Sequence, residues 1–301
     1  MVNFQDRVAV VTGAGGGLGR EHALLLASLG AAVVVNDLGG SVHGEGASSS
    51  AADRVVADIK AAGGAAVAEH SSVSDPSGGE AIIERAIEEF GRIDIVINNA
   101  GILRDKSFAN MSVDDMHAVL DVHLRGAFYV TQPAFRLMKD QNYGRIVFTS
   151  SASGLIGNFG QANYGAAKMG LIGLMQVIKI EGAKYDIMVN AIAPIAQTRM
   201  TEDLLSGMQG LFAPSAVSPA VAYLASETNT LSGEIWSVGG RSVSRFFVGL
   251  TDGYVKPAVD GPLTVDDIEQ HLTEIRSEDG YMVPSSSQDE FAKLAPRLMP
   301  S

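Results

Sequence analysis

"VVTGAGGGLGR", residues 10–20, joins a run of apolar residues to the start of a helical pattern. Its glycines Gly13, Gly17 and Gly19 follow the spacing T-G-x-x-x-G-x-G. Glycine permits a tight turn and lets the backbone approach a pyrophosphate, which the positive end of the helix then stabilises. The stretch therefore predicts a strand, a turn and a helix that bind a dinucleotide.

Apolar runs alternate with helical patterns from this turn to about residue 240. The predicted strands cover residues 7–12, 31–36, 65–70, 92–98, 144–150, 187–193 and 234–238. The predicted helices cover residues 17–29, 51–62, 77–90, 114–140, 161–184 and 215–226. Most of the strands lack polar alternation, as expected when both faces of a parallel sheet are buried. We predict an α/β fold, a doubly wound Rossmann-type parallel sheet of seven strands with helices on both faces.

Two stretches interrupt the alternation. "GGSVHGEGASSS", residues 39–50, is rich in Gly and Ser and is interpreted as a flexible insertion rather than a site. Residues 241–301 carry no further strand pattern, but "TVDDIEQHLTEIR" (264–276) has helical spacing behind an N-cap at Thr264. We predict one domain over residues 1–240 and a C-terminal helical extension over residues 241–301 that packs on it.

Composition excludes several classes of function. The 301 residues are 46% hydrophobic and 19% charged, which is typical of a globular chain. A net charge of −12 argues against nucleic acid as a partner. The chain has no cysteine, and its six histidines show no metal-ligand spacing, so we expect no metal site.

The chain ends bear on localisation. "MVNFQDRVAVV" carries two charges and runs into a strand, which is unlike a signal peptide. No apolar run reaches the roughly 20 residues of a membrane helix. The final residues LMPS do not match a peroxisomal address. We therefore expect a cytoplasmic protein without membrane association.

Asp37 ends the second predicted strand. A carboxylate at this place accepts hydrogen bonds from an adenosine ribose diol and repels a 2′-phosphate. Residues 14–18 contain no Arg or Lys that would attract such a phosphate. The alternative is an ordinary aspartate in a strand-end turn. The pattern favours NAD over NADP.

"NYGAAKMG", residues 163–170, places Tyr164 and Lys168 four residues apart on a predicted helix, so both lie on one face. An isolated pair of this kind is most often an ordinary solvated pair. Two further motifs accompany it here, "NNAG" (98–101) after the fourth strand and "TSSASG" (149–154) after the fifth.

With these four motifs in register, residues 6 to about 240 resemble the short-chain dehydrogenase/reductase family. The resemblance implies that Tyr164 is the general base for alcohol oxidation and that Lys168 lowers its pKa and holds the nicotinamide ribose. It implies that Ser151 holds the substrate oxygen. The cofactor-binding residues that it implies are Gly13, Gly17, Leu18, Gly19, Asp37, Ser72, Val73, Asn99, Tyr164 and Lys168.

A closer resemblance, within that family, is to the (3R)-hydroxyacyl-CoA dehydrogenase part of the peroxisomal multifunctional enzymes of type 2. It rests on the stretches "VVVNDLGG", "NNAGILRDKSF", "VHLRG", "TSSASG", "GNFGQANY" and "APIAQTRMT". This similarity implies NAD-dependent oxidation of (3R)-hydroxyacyl-CoA to 3-ketoacyl-CoA in fatty-acid or sterol side-chain β-oxidation. One alternative is a 17β-hydroxysteroid dehydrogenase acting through the same site, and another is a catalytically silent NAD-binding sensor. The family's dimer interface implies a homodimer or homotetramer built on the helices at 114–140 and 161–184.

The chain departs from the usual family pattern at three places. His123, in "DVHLRG", stands where most members have an Asn that supports a proton relay, so it either joins that relay or is a core histidine. Pro194-Ile195 replaces the usual Pro-Gly after the sixth strand. "HSSV" (70–73) lacks the usual acidic residue on the adenine side, so Ser72 and Val73 are assigned by position.

An acyl-CoA substrate carries phosphates and needs a local basic surface. Arg104, Lys106 and Arg199 are candidates, with ordinary solvated loop charges as the alternative. Residues 201–212 have the composition of a substrate lid or of ordinary helix packing.

Overall fold

The computed structural model describes residues 2–198 and 210–298. Its centre is one sheet of eight strands in the order β3-β2-β1-β4-β5-β6-β7-β8. The strands are β1 (Val8–Thr12), β2 (Ala32–Asn36), β3 (Ala65–Glu69), β4 (Ile95–Asn98), β5 (Gly144–Thr149), β6 (Ile187–Ile195), β7 (Ile235–Gly239) and β8 (Ser242–Phe246). Every pair from β3 across to β7 is parallel. The predicted fold class is confirmed.

Helices connect the parallel strands, as a parallel sheet requires. They are α1 (Gly17–Ser28), α2 (Ser50–Ala61), α3 (Pro76–Phe90), α4 (Val113–Leu120), α5 (Gly126–Gln141), α6 (Ala152–Leu155), α7 (Ala162–Gly182) and α8 (Ser218–Ala225). Local sequence fixes their ends. At α3, for example, the Asp75 side chain accepts a hydrogen bond from the Ser77 backbone, and Gly91 ends the helix in the left-handed region.

The hydrophobic core explains why the central strands read as unbroken apolar runs. All five residues of β1 are buried, and so are all six of β5. One large cluster joins the β1 and β2 side chains to apolar faces of α1, α2 and α8. Since both sheet faces are covered, polar groups reach solvent mainly at the strand ends, where the site lies.

Strand order reverses beside β1, because β2 lies on one side of it and β4 on the other. The crevice at the carboxyl ends of two such strands is where doubly wound folds bind ligands. The fold therefore places the turn after β1 and the "NNAG" segment after β4 at the mouth of one crevice.

Two details differ from the sequence-based prediction. The sheet has eight strands instead of seven, because β8 follows β7 after the two-residue link Gly240-Arg241. None of its residues is buried, so it lacks the hydrophobic pattern that marks a strand. The helix predicted over 114–140 is interrupted by a π-helical turn at Asp121–Arg125, which separates α4 from α5.

The chain divides into two compact units, Met1–Arg245 and Phe246–Ser301. The second unit contains α9 (Val265–Gln270), α10 (Leu272–Arg276) and α11 (Ser287–Leu298). Thr264 caps α9 and forms a capping box with Asp267. The predicted domain boundary lies between residues 240 and 241, five residues before the division between these two units.

No helix in the described part of the chain combines the length and the apolar composition needed to cross a bilayer.

His22 gives the fold a pH dependence that can be measured. Its imidazole is buried between α1 and α8, with Nδ1 2.8 Å from the Ser218 hydroxyl. Burial lowers the pKa of His22 to about 3, whereas an unfolded histidine titrates near about 6.5. Below that pH the unfolded chain binds a proton that the folded chain excludes, so stability present at pH 7 is lost as the pH falls.

We predict that between pH 7 and pH 5 the wild-type free energy of unfolding falls by about 2 kcal/mol more than that of His22→Gln. Urea unfolding of both proteins at the two pH values measures the difference. The exposed His117 supplies the control, and His117→Gln should follow the wild type. Equal losses in wild type and His22→Gln would contradict the assignment.

Candidate active site

Four hydrogen bonds, here called the strand-end link, tie the end of β1 to the residues after β4. The Thr12 hydroxyl oxygen accepts from the backbone N–H groups of Asn99 at 3.0 Å and Ala100 at 3.1 Å. The Asn99 side-chain amide donates to the carbonyl oxygens of Thr12 at 3.0 Å and Gly13 at 3.2 Å. The Asn99 side chain thus holds the turn after β1, the turn predicted to bind the cofactor, by two hydrogen bonds.

The glycine turn leaves no space for side chains at Gly13 and Gly19. A Cβ on Gly13, whose φ is +64°, would lie 2.7 Å from the Ala100 Cα. A Cβ on Gly19 would lie 2.2 Å from the Gly13 carbonyl oxygen. Gly19 therefore packs the start of α1 against the turn. Gly17 has a positive φ of +53°, which favours glycine at the first residue of α1.

Asp37 is fixed at the end of β2 by backbone groups. Its Oδ2 accepts from the N–H of Gly15 at 2.7 Å, and its Oδ1 accepts from the N–H of Gly39 at 2.6 Å. Each carboxylate oxygen keeps a second lone pair for a ligand hydroxyl.

The Gly/Ser-rich stretch after Asp37, interpreted from the sequence as a flexible insertion, lines the candidate site. Leu103 donates its backbone N–H to the Val42 carbonyl at 2.9 Å, and His43 Nδ1 lies 3.0 Å from the Leu103 carbonyl oxygen. These contacts hold the stretch against the segment after β4, and Ser41, Val42 and Gly44 line the same cavity as Asp37.

Ser151, Tyr164 and Lys168 converge from two elements. Ser151 caps α6 directly after β5, while Tyr164 and Lys168 lie one turn apart on α7. The Ser151 Oγ accepts from the Ser153 backbone N–H at 3.2 Å, and the Ser151 hydroxyl lies near enough to the Tyr164 phenol to lower the pKa of that phenol. The Lys168 Nζ lies 5.4 Å from the Tyr164 ring centroid and donates to the Thr149 carbonyl at 2.5 Å.

Burial dominates the electrostatics of this group. It lowers the pKa of Lys168 to about 7. Burial also raises the pKa of Tyr164. The Ser151 hydroxyl lowers this pKa, and the Asp105 charge raises it further. Desolvation of both groups therefore opposes the expected lowering of the Tyr164 pKa by Lys168.

His123 lies on the π-helical turn with its ring edge toward Tyr164, at a centroid distance of 5.1 Å. Its Nε2 lies 2.8 Å from the Ile102 carbonyl oxygen, and within the described residues its buried Nδ1 has no hydrogen-bond partner. Burial, then the Lys168 charge, lowers the pKa of His123 well below its ordinary value. A small cavity of about 10 Å³, enough for one water molecule, is lined by both His123 and Lys168.

One cavity of about 860 Å³ connects these groups. Apart from Gly19, every predicted site residue lines it, namely Gly13, Gly17, Leu18, Asp37, Ser72, Val73, Asn99, Ser151, Tyr164 and Lys168. The Ser72 and Ser74 hydroxyl oxygens lie 2.8 Å apart. Motif groups that are far apart in the sequence thus line one cavity.

Sequence reasoning missed a polar group in the cavity wall. Asp105, Asn158 and Gln161 line it, and Gln161 Nε2 donates to Asp105 Oδ2 at 2.7 Å. These residues lie in the stretches "NNAGILRDKSF" (98–108) and "GNFGQANY" (157–164), where the family motifs give them no role.

At the end of β6, Pro194-Ile195 stands where the family usually has Pro-Gly. Pro194 and Ile195 continue β6, because Ile195 still pairs with Gly239 of β7. Both residues line the cavity.

The candidate basic surface is only partly described. Arg104 lines the cavity but is held by Asp115 at 3.6 Å and by the His43 carbonyl at 3.1 Å. Lys106 is exposed. Arg199 and residues 201–209 of the predicted lid lie outside the described residues.

Known proteins share this arrangement. The family model for short chain dehydrogenases matches residues 7–209. Peroxisomal multifunctional enzyme type 2 of Drosophila melanogaster is 50% identical over 91% of this chain and 46% of its own length. A hydroxyacyl-CoA dehydrogenase of Mycobacterium tuberculosis is 38% identical over 80% of each chain. The solved structure of the full-length Drosophila enzyme superimposes with a TM-score of 0.83 at 39% identity, covering 99% of this chain and 50% of that one.

The chain spans about half the length of the multifunctional enzyme that it matches, so the activities of that whole enzyme do not transfer by similarity alone. The family match over residues 7–209 and the identities above nevertheless establish the protein family and the type of enzyme. The chain belongs to the short-chain dehydrogenase family and is an oxidoreductase that acts on a hydroxyl group.

Proposed function

We propose that the protein oxidises the 3-hydroxyl of (3R)-hydroxyacyl-CoA to the 3-ketone, with NAD as hydride acceptor. One observation carries the proposal: the glycine turn, Asp37 and the Ser151–Tyr164–Lys168 group all line a single cavity. A binding module without chemistry has no need of the Ser151–Tyr164–Lys168 group.

The residues of the glycine turn and Asp37 fit a dinucleotide. The turn lacks side chains where a Cβ would clash, and the Asp37 carboxylate is already oriented by two backbone amides. In the proposal Gly13, Gly17 and Leu18 hold the pyrophosphate at the N-terminus of α1, and Asp37 holds the adenosine ribose. NAD bound there would supply the acceptor for the hydride of the substrate's carbinol carbon.

The chain's own residues manage the proton. Ser151 holds the substrate oxygen by a hydrogen bond, and the Tyr164 phenolate accepts the hydroxyl proton as the hydride leaves the carbon. Because burial raises the pKa of Tyr164, a phenolate at neutral pH needs added positive charge. Lys168 and a cationic nicotinamide supply that charge in the proposal.

Relatives support the substrate class. The M. tuberculosis protein is named for hydroxyacyl-CoA, and the Drosophila protein is a multifunctional enzyme of the peroxisome. The fixed Ser151–Tyr164 pair defines one side of the substrate for proton removal, so the other side is left for the hydride. This asymmetry supports strong stereoselectivity.

A homo-oligomer is also part of the proposal. Apolar side chains on α7 are exposed on one face, Met169, Val177 and Ile180, and Phe128 of α5 is also exposed. Burying such a face against a second copy removes apolar surface from water.

Asp37 allows a test of cofactor choice. We predict that the wild type prefers NAD and that Asp37→Ala reduces the NAD/NADP ratio of kcat/KM by at least about tenfold, equivalent to about 1.4 kcal/mol. The variant loses ribose hydrogen bonds and no longer repels a 2′-phosphate. Asp53→Ala removes an exposed carboxylate that does not line the cavity and should leave the ratio unchanged. A wild type that uses both cofactors equally would overturn the assignment of Asp37.

The substrate proposal is tested by turnover with NAD on (3R)- and (3S)-hydroxyacyl-CoA and on a 17β-hydroxysteroid. We expect oxidation of the 3R thioester, with kcat/KM at least about 10²-fold above that of the 3S isomer. Activity on the steroid alone contradicts the acyl-CoA proposal, and a preference for 3S contradicts the proposed side of attack. Binding of NAD without turnover of any of the three favours a sensor.

A further inference from the structure

The Gly/Ser-rich stretch after β2 contains a closed loop over residues 38–48, which we call the strap. Its ends meet, because Ser48 donates its backbone N–H to the Leu38 carbonyl at 2.9 Å. Its tip is a tight turn, in which Ser41 donates its backbone N–H to the Glu45 carbonyl at 2.8 Å, and the Ser41 hydroxyl accepts from the Glu45 N–H at 3.2 Å. Joined ends and internal hydrogen bonds are typical of compact surface loops that carry function.

The strap crosses the carboxyl end of β1. It leaves the sheet at the end of β2 and contacts the segment after β4, and β1 lies between these two strands in the sheet. The glycine turn follows β1 at the same place. Ser41, Val42 and Gly44 of the strap line the same cavity as Gly13 and Gly17 of the turn. The strap and the glycine turn are therefore two walls of one space.

Three hydrogen bonds, here called the fasteners, hold the strap on the segment after β4. The Leu103 backbone N–H donates to the Val42 carbonyl at 2.9 Å. His43 Nδ1 lies 3.0 Å from the Leu103 carbonyl oxygen, and Arg104 Nε donates to the His43 carbonyl at 3.1 Å. Two of the three fasteners use a side chain, so a substitution removes either of them and leaves the backbone bond in place.

Arg104 links the strap to the framework around Tyr164. Its guanidinium pairs with Asp115 at 3.6 Å. The buried Asn163 side-chain amide donates to the carbonyl oxygens of Arg104 at 3.1 Å and Asp115 at 3.2 Å. The Asn163 Oδ1 in turn accepts from the Tyr164 backbone N–H at 2.8 Å. The strap is therefore fastened to residues that the start of α7 holds in place.

His43 reaches the cavity only through the strap. Its neighbours Val42 and Gly44 line the cavity, whereas His43 does not. Its Nδ1 contacts the Leu103 carbonyl, and its backbone carbonyl accepts from Arg104. An effect of the His43 side chain on a ligand in the cavity must therefore come from the position of the strap and not from direct contact.

We propose that the strap closes over the dinucleotide and that His43 and Arg104 are positioning residues that hold it shut. The inference rests on the proposed function, which identifies the dinucleotide as NAD. NAD enters and NADH leaves when the fasteners break, because the closed strap covers the glycine turn on which the pyrophosphate rests. The fasteners thus set the rate at which the reduced cofactor leaves, a step that limits turnover in many enzymes with closing loops.

His43→Ala tests the proposal, because it removes one fastener and leaves the residues of the cavity wall unchanged. We expect NADH to dissociate at least about threefold faster from this variant than from the wild type, the effect of one hydrogen bond. Stopped-flow displacement of NADH by excess NAD, followed by NADH fluorescence, measures the rate. His117→Ala removes an exposed histidine that does not line the cavity and should give the wild-type rate. An unchanged rate in His43→Ala contradicts the proposal.

Arg104→Ala separates the strap from the alternative that Arg104 serves the phosphates of an acyl-CoA. As a fastener Arg104 slows NADH release when no acyl-CoA is present, so the variant should release NADH at least about threefold faster. A wild-type rate of NADH release together with a raised KM for acyl-CoA contradicts its role as a fastener. Arg85→Ala is the control, since Arg85 is a surface arginine of α3 that pairs with Glu88 and Glu89 and does not line the cavity.

Amide hydrogen exchange gives a second readout that needs neither ligand nor turnover. In the free His43→Ala and Arg104→Ala proteins we expect faster exchange over residues 38–48 than in the wild type, with wild-type rates in β1 and β5. Faster exchange spread evenly over the chain shows a general loss of stability, and wild-type exchange in the strap shows that the side chains do not fasten it. Either result contradicts the proposal.

The same experiments distinguish failure of the strap from failure of the proposed function. In the wild type, bound NADH should slow amide exchange over residues 38–48, and no slowing contradicts closure over the dinucleotide. A protein that binds NADH but oxidises none of the three substrates overturns the proposed function. The NADH dissociation and exchange rates of that protein still decide whether the strap is fastened.

Discussion

The strand-end link between Thr12 and Asn99 is the constraint on which the site depends. Through it the glycine turn and the segment after β4 share one set of hydrogen bonds. That segment in turn fastens the start of α7, so the dinucleotide end and Tyr164 are held by one continuous network. Gly13 fits the link because a Cβ there would meet Ala100 at 2.7 Å. A site of two distant motifs thus becomes one rigid cavity.

Burial, more than pairing, sets the charge state of the reacting groups. Lys168 and His123 lie beside each other in a space that penalises both charges, so the pKa of each is lowered. The same desolvation raises the pKa of Tyr164. Burial thus favours the neutral forms of Lys168, His123 and Tyr164. The electrostatics therefore couple proton removal to occupancy of the dinucleotide end in the proposed function.

The sequence predicts the fold well where burial produces a pattern. The seven parallel strands follow from apolar runs and the start of α9 from its capping residue Thr264, and the structure has them. β8 was not predicted, because none of its side chains is buried and no periodicity marks it. Asp105 and the stretch around Val42 reach the cavity through contacts between residues far apart in sequence, which a local pattern does not encode. The raised pKa of Tyr164 is likewise not encoded in a local pattern, because it depends on burial in the folded chain.

The central claim is that Tyr164 is the base of a dehydrogenase and not part of a binding surface. The most direct measurement compares Tyr164→Phe with the wild type in NAD affinity and in kcat on (3R)-hydroxyacyl-CoA. Because the substitution removes one oxygen and leaves the ring, NAD affinity should stay within about twofold. Turnover should fall by about 10²-fold or more, the contribution typical of a general base. Retention of more than about a tenth of wild-type kcat would contradict the account.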